Sequence, residues 1–328
     1  MIYPSAGLLA GFDAGQTHTT CRLARAEDGQ VLASGEGTGV SHLASADGSA
    51  RFQAALESSL AAARCALAAE ARNLPLRAAA VGASGIEQGT AVQQQGQQLA
   101  VATLGLPEAA VLVTGDERTA LRGAFPQAAG IVVISGTGTI AVGGDGRGRH
   151  HRCAGWGWLL DGAGSALDIG RDGLALSLQM ADGRRRPGPL GPALWQALGQ
   201  GWTDPLAPQA IKALVVAPDF GAAGFARLAP VVHHQAAAGD PDAAAILERS
   251  AQALAVMVQG VAGALVLDAP AVCGLGGALT HLELLQAGFR EALGRQLPGA
   301  RLVPAAGDGC SGALALAQDL LAASASLG

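Results

Sequence analysis

Three observations predict an α/β protein of two lobes. A β-hairpin opening followed by β/α units occurs twice, near Gly7 and again near Gly130. Each copy begins with an apolar run that ends in a glycine and hydroxyl turn, Asp13-Ala14-Gly15-Gln16-Thr17 in the first and Ser135-Gly136-Thr137-Gly138-Thr139 in the second. The chain has 328 residues, enough for two domains of ordinary size. Two such units facing each other leave a cleft, and ligands in sheets of this kind bind at strand ends beside the turn glycines.

The elements follow from pattern and punctuation. Residues 7–12, 19–24 and 30–34 are short apolar runs separated by acidic and glycine turns, which predicts three antiparallel strands. Phe52, Leu56, Leu60 and Leu67 recur at helical spacing, so 46–73 reads as a long helix closed by Pro75. A strand over 76–83, a helix over 90–104, a strand over 110–114 and a helix over 115–124 complete the first half. The second half repeats the opening with strands at 130–135, 140–143 and 147–153. Helices then fill 165–180, 191–198, 221–238 and 241–267. A buried strand at 271–274, a helix at 280–293, a strand at 300–303 and a helix at 309–322 close the chain. Pro126 interrupts between the halves. The expected lobes are 1–127 and 128–308, with the last segment, 309–328, as a possible addition to the first lobe.

Half the residues are hydrophobic but only 3% are aromatic, so the core must come from Ala, Val and Leu. Lys212 is the only lysine, and the 48 glycines carry most meaning where they stand at strand-to-turn junctions. The net charge of −5 and the absence of a long basic run exclude a nucleic-acid surface, since Arg184-Arg185-Arg186 sits beside Pro187 and reads as a solvated loop. The five cysteines form no C-x-x-C pair and suit a reducing compartment. His150-His151 and His233-His234 match no metal-binding spacing. Residues 1–10 lack the charged and apolar regions of a leader, and the longest apolar stretch, 261–267, is too short to span a bilayer. A soluble, cytoplasmic protein with no membrane partner is expected.

Four places can carry chemistry. At Asp13-Ala14-Gly15-Gln16-Thr17, Gly15 lets the backbone approach an anion, Thr17 adds a hydroxyl donor, and Asp13 suits a water-mediated Mg²⁺ contact. Alone, this is equally a plain β-turn. The turn at Gly136, Thr137, Gly138 and Thr139 repeats the design, so that the pair can hold a polyphosphate. Neither is a P-loop, because no G-K-[ST] follows, and neither opens a helix as a dinucleotide fingerprint must. In Val272-Cys273-Gly274-Leu275-Gly276-Gly277, a buried strand ends in glycines on which a flat adenine or ribose can lie, although close packing also uses glycine there. Asp116 follows a strand and begins a helix, which suits an N-cap carboxylate or a catalytic base at the strand end.

In this order, and with Gly155-Trp156-Gly157-Trp158 after the second turn, the motifs resemble the N-acetylglucosamine kinase and BadF/BadG-type ATPase family of the actin/hexokinase/sugar-kinase superfamily. The resemblance covers nearly the whole chain and is most specific over 131–170. It implies a duplicated, ribonuclease H-like (actin-like ATPase) fold with an interlobe cleft. It also implies ATP and Mg²⁺ as cofactors and a small-molecule sugar as partner, with a homodimer left open. By this resemblance Gly15, Thr17, Gly136, Thr137 and Gly138 bind phosphate, Gly276 and Gly277 meet adenosine, and Asp116 is the base on the acceptor hydroxyl. Gly155 and Trp156 would line the sugar pocket beside Thr139.

Two departures fall on the sugar side. Ser41, followed by His42, stands where the family has an asparagine. Asp161-Gly162-Ala163-Gly164-Ser165 stands where the family has G-D-E-G-S, with Asp161 one place early. The implied activity is phosphorylation of an amino sugar such as N-acetylglucosamine or glucosamine. The alternative is a nucleotide-binding regulator or ATPase activator without kinase activity. The activators of this family bridge an iron–sulfur cluster with cysteines, and Cys153 reads more simply as a small packed residue.

Overall fold

The computed structural model describes residues 7–326. Residues 1–6, within the stretch read above for a leader, lie outside the described residues. The chain forms two compact units, one of residues 7–128 with 305–326 and the other of Ala129–Pro304. Residues 305–308 belong with the first unit, earlier than the expected return at 309. Ala306 N–H bonds the Ala124 carbonyl, and Arg22 holds Asp308.

The first unit is built on β1 (Leu8–Ala14), β2 (His18–Arg25), β3 (Val31–Thr38), β4 (Leu76–Ala83) and β5 (Val111–Gly115), in the order β3-β2-β1-β4-β5. The β1–β2 and β2–β3 pairs are antiparallel, while β1–β4 and β4–β5 are parallel. Central β1 and β4 are apolar along nearly their whole length because both sheet faces are covered. One face carries α1 (Gly48–Ala66) and α2 (Ala91–Leu104). The other carries α3 (Asp116–Ala124) and a C-terminal helix, Gly309–Ser326. That last helix approaches α3 so closely that a Cβ at Gly312 would clash with the Thr119 carbonyl, and α3 in turn lies on β4 so closely that one at Gly82 would clash with the Thr119 hydroxyl. Glycine is informative inside these elements too, beyond the strand-to-turn junctions.

The second unit repeats the arrangement. Its strands are β6 (Gly130–Ser135), β7 (Thr139–Gly144), β8 (His150–Ala154), β9 (Ala271–Leu275) and β10 (Arg301–Leu302), in the order β10-β9-β6-β7-β8. Here too the first strand pairs antiparallel with the second and parallel with the fourth. Its helices are α4 (Ala166–Ala181), α5 (Leu190–Ala197), α6 (Ala207–Val215), α7 (Gly221–Ala226), α8 (Ala229–Ala237), α9 (Pro241–Leu265), α10 (Gly277–His281) and α11 (Glu283–Gln296). The C-terminal helix of the first unit is α12. Trp195 is the largest fully buried side chain, and its indole N–H is satisfied by Ser177 Oγ at 3.0 Å.

Several expected elements end differently. The helix expected over 46–73 stops at Ala66, because Leu67 turns extended to bury its side chain and Arg72 and Arg64 bond the carbonyls of the following turns. The helix expected over 221–238 is two helices, since Pro230 lacks an N–H and restarts the chain at the first turn of α8. The strand expected over 147–153 is the shorter β8, and the helix expected over 280–293 is α11 preceded by the short α10. Helix α6 was not foreseen. Among the described residues no helix is long and apolar enough to cross a membrane.

The edge strand β5 is closed by side chains. Gln97 donates to the Val111 carbonyl at 2.7 Å and accepts from Val113 N–H at 2.8 Å, while Gln93 donates to the Val113 carbonyl at 2.8 Å. These amides take the groups a further strand would pair with. Gln97→Ala is therefore expected to cost about 1–3 kcal/mol in chemical denaturation and to promote self-association in sedimentation velocity.

Candidate active site

The C-terminal ends of the parallel strands in the first unit gather two carboxylates that sequence reasoning singled out and one hydroxyl that it did not. Asp13 lies at the end of β1, Ser84 just past β4 and Asp116 just past β5, with Ala83 and Gly115 as register partners. Asp116 is the first residue of α3, and the N-cap is Gly115, with no side-chain capping bond. The N-cap alternative for Asp116 is thus corrected. Its carboxyl instead accepts from the Ser84 hydroxyl. Desolvation pushes the Asp116 pKa above the ordinary carboxylate range, with bonds from the backbone of Glu117 and of Asp116 and from Ser84 pulling the other way.

Asp13 is raised from 3.8 to about 6, first by burial and then by the charges of Asp116 and Asp308. Asp308 is held well below the usual range, first by its bond to Arg22. That guanidinium grips it in a two-pronged pair, with Nη1 donating to Oδ1 at 2.8 Å and Nη2 to Oδ2 at 2.7 Å. Asp308 also receives Ser311 N–H at 2.8 Å at the start of α12. Gly309 brings the α12 backbone against Asp13, since a Cβ there would stand 2.6 Å from Oδ2. Among the described residues no three His, Cys, Asp or Glu side chains are arranged to hold a metal directly. Asp13, half-buried at its strand end, presents a carboxyl that could hold a cation through water.

The first turn adjoins this group. Gly15 N–H closes the turn on the His18 carbonyl at 3.1 Å, so anion contact there falls to the groups beyond it, including exposed Thr17. The Gly15 carbonyl accepts from Val40 N–H at 2.9 Å, which brings Ser41 and His42 to the same end of the sheet. Ser41 Oγ is engaged with Ser45 Oγ and Asp47 Oδ1, both at 3.2 Å. His42 Nδ1 accepts from Ala44 N–H at 3.2 Å, and its ring rests on Gly85, next to Ser84.

In the second unit, Gly136 N–H bonds the Gly138 carbonyl at 2.9 Å and makes the matching turn. Three bonds tie the segment after residue 162 to it: Ser135 Oγ to the Gly164 carbonyl at 2.7 Å, Thr139 Oγ1 to the Ala163 carbonyl at 3.1 Å, and Ala166 N–H to the Gly136 carbonyl at 2.8 Å. Ser165 caps α4, where Asp168 N–H donates to its hydroxyl. Gly276 has φ +90°, and a Cβ there would be 2.4 Å from the Ser135 carbonyl. It is a glycine because the end of β9 must press on the turn, whereas Gly277, tip of α10, faces near-open space. Gly155 stands opposite Thr139, because Ile140 pairs with Ala154. Trp156 is 59% exposed and carries the Arg152 guanidinium 4.4 Å from its ring centre. Asp161 N–H bonds the Gly157 carbonyl. Cys153 packs against Gly260, and all five cysteines are free.

Sequence reasoning missed Ser84, Arg22 and Asp308. Ser84 had a signal, a hydroxyl in the small-residue turn Gly82-Ala83-Ser84-Gly85 after a strand. Arg22 and Asp308 had none, since they lie 286 positions apart in sequence.

A model of the BadF/BadG/BcrA/BcrD ATPase family matches residues 10–317. An N-acetylglucosamine kinase candidate from Chromobacterium violaceum has a solved structure with TM-score 0.75 and 30% identity, covering 96% of this chain and 100% of that one. An N-acetylmuramic acid/N-acetylglucosamine kinase from Clostridium acetobutylicum is 28% identical over 210 residues, 63% of this chain and 67% of that protein. The fold is also that of a ROK family glucokinase from Streptomyces griseus solved with glucose and AMPPNP, at TM-score 0.53 and 20% identity over 96% of this chain and 99% of that one. These neighbours establish the actin-like ATPase fold.

Proposed function

We propose that this chain, which belongs to the BadF/BadG/BcrA/BcrD ATPase family, is an ATP-dependent sugar kinase whose acceptor is an amino sugar such as N-acetylglucosamine or glucosamine. The observation that carries the reading is Asp116: a carboxylate of raised pKa at a strand end, oriented by the backbone of Glu117 and of its own residue and by Ser84, with Gly115 and not Asp116 at the N-cap position of α3. Such a group takes the proton of an attacking hydroxyl. The similarity to an N-acetylmuramic acid/N-acetylglucosamine kinase supports the substrate class.

In this reading the turns at Gly15–Thr17 and Gly136–Gly138 bind phosphate, and Gly277 meets adenosine. Gly276 supports the second turn from beneath. Asp13 would hold hydrated Mg²⁺, which when bound supplies charge neutralisation on the phosphates. Ser41, His42, Thr139, Gly155, Trp156 and Asp161 read the sugar. Asp116 accepts the hydroxyl proton as oxygen attacks the γ-phosphorus, and ADP leaves with the bond it breaks.

Coupled ADP release against a panel of hexoses, amino sugars and N-acetyl sugars tests the reading, with mass spectrometry for the sugar phosphate. A panel that yields none hands the chain to the regulator class. Gly138 gives an independent check on nucleotide. A Cβ at Gly138 meets nothing within 4 Å, so Gly138→Val should fold normally while its branches occupy the space phosphate needs. We expect ATP affinity to fall at least about tenfold in calorimetry, the loss of one good phosphate hydrogen bond or more. Unchanged affinity in the folded variant removes this turn from the site.

A further inference from the structure

We propose that the groove between α4 and α9 of the second unit binds a neutral polyhydroxylated ligand of monosaccharide size, apart from the residues assigned to phosphoryl transfer and independent of the kinase reading. The groove holds a cavity of about 260 Å³. That is below the range of pockets for drug-sized molecules and suits one small ring. Every residue lining it belongs to α4, to α9 or to the loop after α4.

An ion pair closes each end. Asp172 of α4 accepts from Arg249 of α9 at 3.1 Å, and Asp242, near the start of α9, accepts from Arg185, just past α4, at 3.0 Å. The helices therefore run antiparallel along the groove. Asp172 and Gln179 mark one wall, Asp242 and Arg249 the other, each pair two helical turns apart, so the groove is about 10 Å long. Arg185 is held over α4 by its own N–H, which bonds the Gln179 carbonyl at 3.0 Å. The arginine run 184–186 thus has a place in the fold, with Arg184 paired to Asp182 and Arg185 turned into the groove.

Between the pairs, half-buried Leu176 and buried Ile246 give an apolar floor. Gln179, also half-buried, lines the groove with a side-chain amide that bonds no partner among the described residues. Two guanidiniums and two carboxylates sum to zero charge. A net anion there meets the aspartates, and a net cation meets the arginines. Each pair is joined by a single bond, which leaves guanidinium N–H groups beside carboxylate oxygens at both ends.

A hydroxyl suits such a couple, because one oxygen accepts from the arginine and donates to the aspartate. A ring with hydroxyls around its edge meets both ends and Gln179 at once, while its C–H face covers Leu176 and Ile246. An amino acid zwitterion is served at one end only, since its two charges sit on one carbon. The pairs give way at little cost, because the Arg185 and Arg249 side chains are 53% and 59% exposed and such pairs contribute little to the fold.

The test follows the methyl resonances of Leu176 and Ile246 in the full chain as glucose, N-acetylglucosamine and myo-inositol are added in turn, with glutamate and inorganic phosphate as charged probes. We expect both methyl signals to shift saturably with at least one of the neutral probes, with a dissociation constant on the order of 1 mM. Gln179→Ala should weaken that binding about fivefold, the loss of one neutral hydrogen bond. Ala175→Phe, at an exposed position on the rim, fills the groove and should abolish the shifts while the thermal midpoint holds. No saturable shift with any neutral probe, up to about fifty times that constant, overturns the site. A larger response to glutamate or phosphate overturns the neutral ligand. Shifts that survive in folded Ala175→Phe report binding elsewhere and overturn the groove. Sugar phosphate formation is no part of the readout, so a failed kinase reading and a failed groove are told apart.

Discussion

Asp116→Asn is expected to reduce kcat by at least about two orders of magnitude while the variant folds and binds ATP like the parent. A sugar hydroxyl is a weak nucleophile until its proton has somewhere to go. A positioned carboxylate contributes about 10²–10⁴-fold to that transfer. The substitution is selective here for a structural reason. Gly115 and not Asp116 holds the N-cap position of α3, and an Asn carbonyl still accepts from Ser84 or from the backbone of Glu117 at the helix start. What disappears is basicity, which desolvation has raised in the parent. The measurements are steady-state kcat on the active sugar, calorimetric ATP affinity and the thermal midpoint. A kcat within a few-fold of the parent removes Asp116 from the mechanism. A collapse of the midpoint would mean that the carboxylate serves the fold.

The position of Asp116 was legible because it depends on local pattern. A β-prone run followed by Gly115-Asp116 and an amphipathic segment puts the residue at a strand end whatever surrounds it. The same holds for both glycine turns, whose strands pair with their sequence neighbours. The repeated strand order was legible for the same reason, because hairpins and β/α units are short-range objects.

What escaped was long-range. The return of the last segment to the first lobe was an open expectation over 309–328, but no spacing shows that Asp308, just before that helix, comes close enough for its charge to act on Asp13. Arg22 looked like an ordinary polar residue of a hairpin strand. Gly276 gained a structural reason once its φ and its contact with Ser135 were visible, as a support under the turn. Helix α6 escaped for a local reason: it follows Gly201-Trp202-Thr203-Asp204-Pro205, whose turn signals mask the start of the next element. Leu67 shows the converse. Ala-rich sequence favours continued helix, but burying one leucine in the core outweighed it.

Asp13→Asn is expected to make the protein more stable and less active, with a sign that depends on pH. The folded Asp13 carboxyl titrates at about 6 against an ordinary 3.8, so the folded state holds its proton more tightly than the unfolded chain. Stability from this group is fully present below pH 3.8 and is lost as pH rises through 6. Above that, burial and the charges of Asp116 and Asp308 leave an ionised Asp13 that disfavours the fold by an upper bound of about 3 kcal/mol. Asn carries no charge and escapes this penalty. At pH 8 the variant should melt on the order of 5 °C above the parent, and near pH 3.5 the two should converge. Added Mg²⁺ should raise the parent's midpoint at pH 8 and leave the variant's in place, because the strain a cation relieves is gone. Turnover of the variant should fall, since the carboxylate proposed to hold the hydrated metal is missing. Scanning fluorimetry at the two pH values, with and without Mg²⁺, reads all of this. A variant no more stable than the parent at pH 8 would mean that the three carboxylates do not strain one another. A Mg²⁺ response equal in parent and variant would place the cation elsewhere.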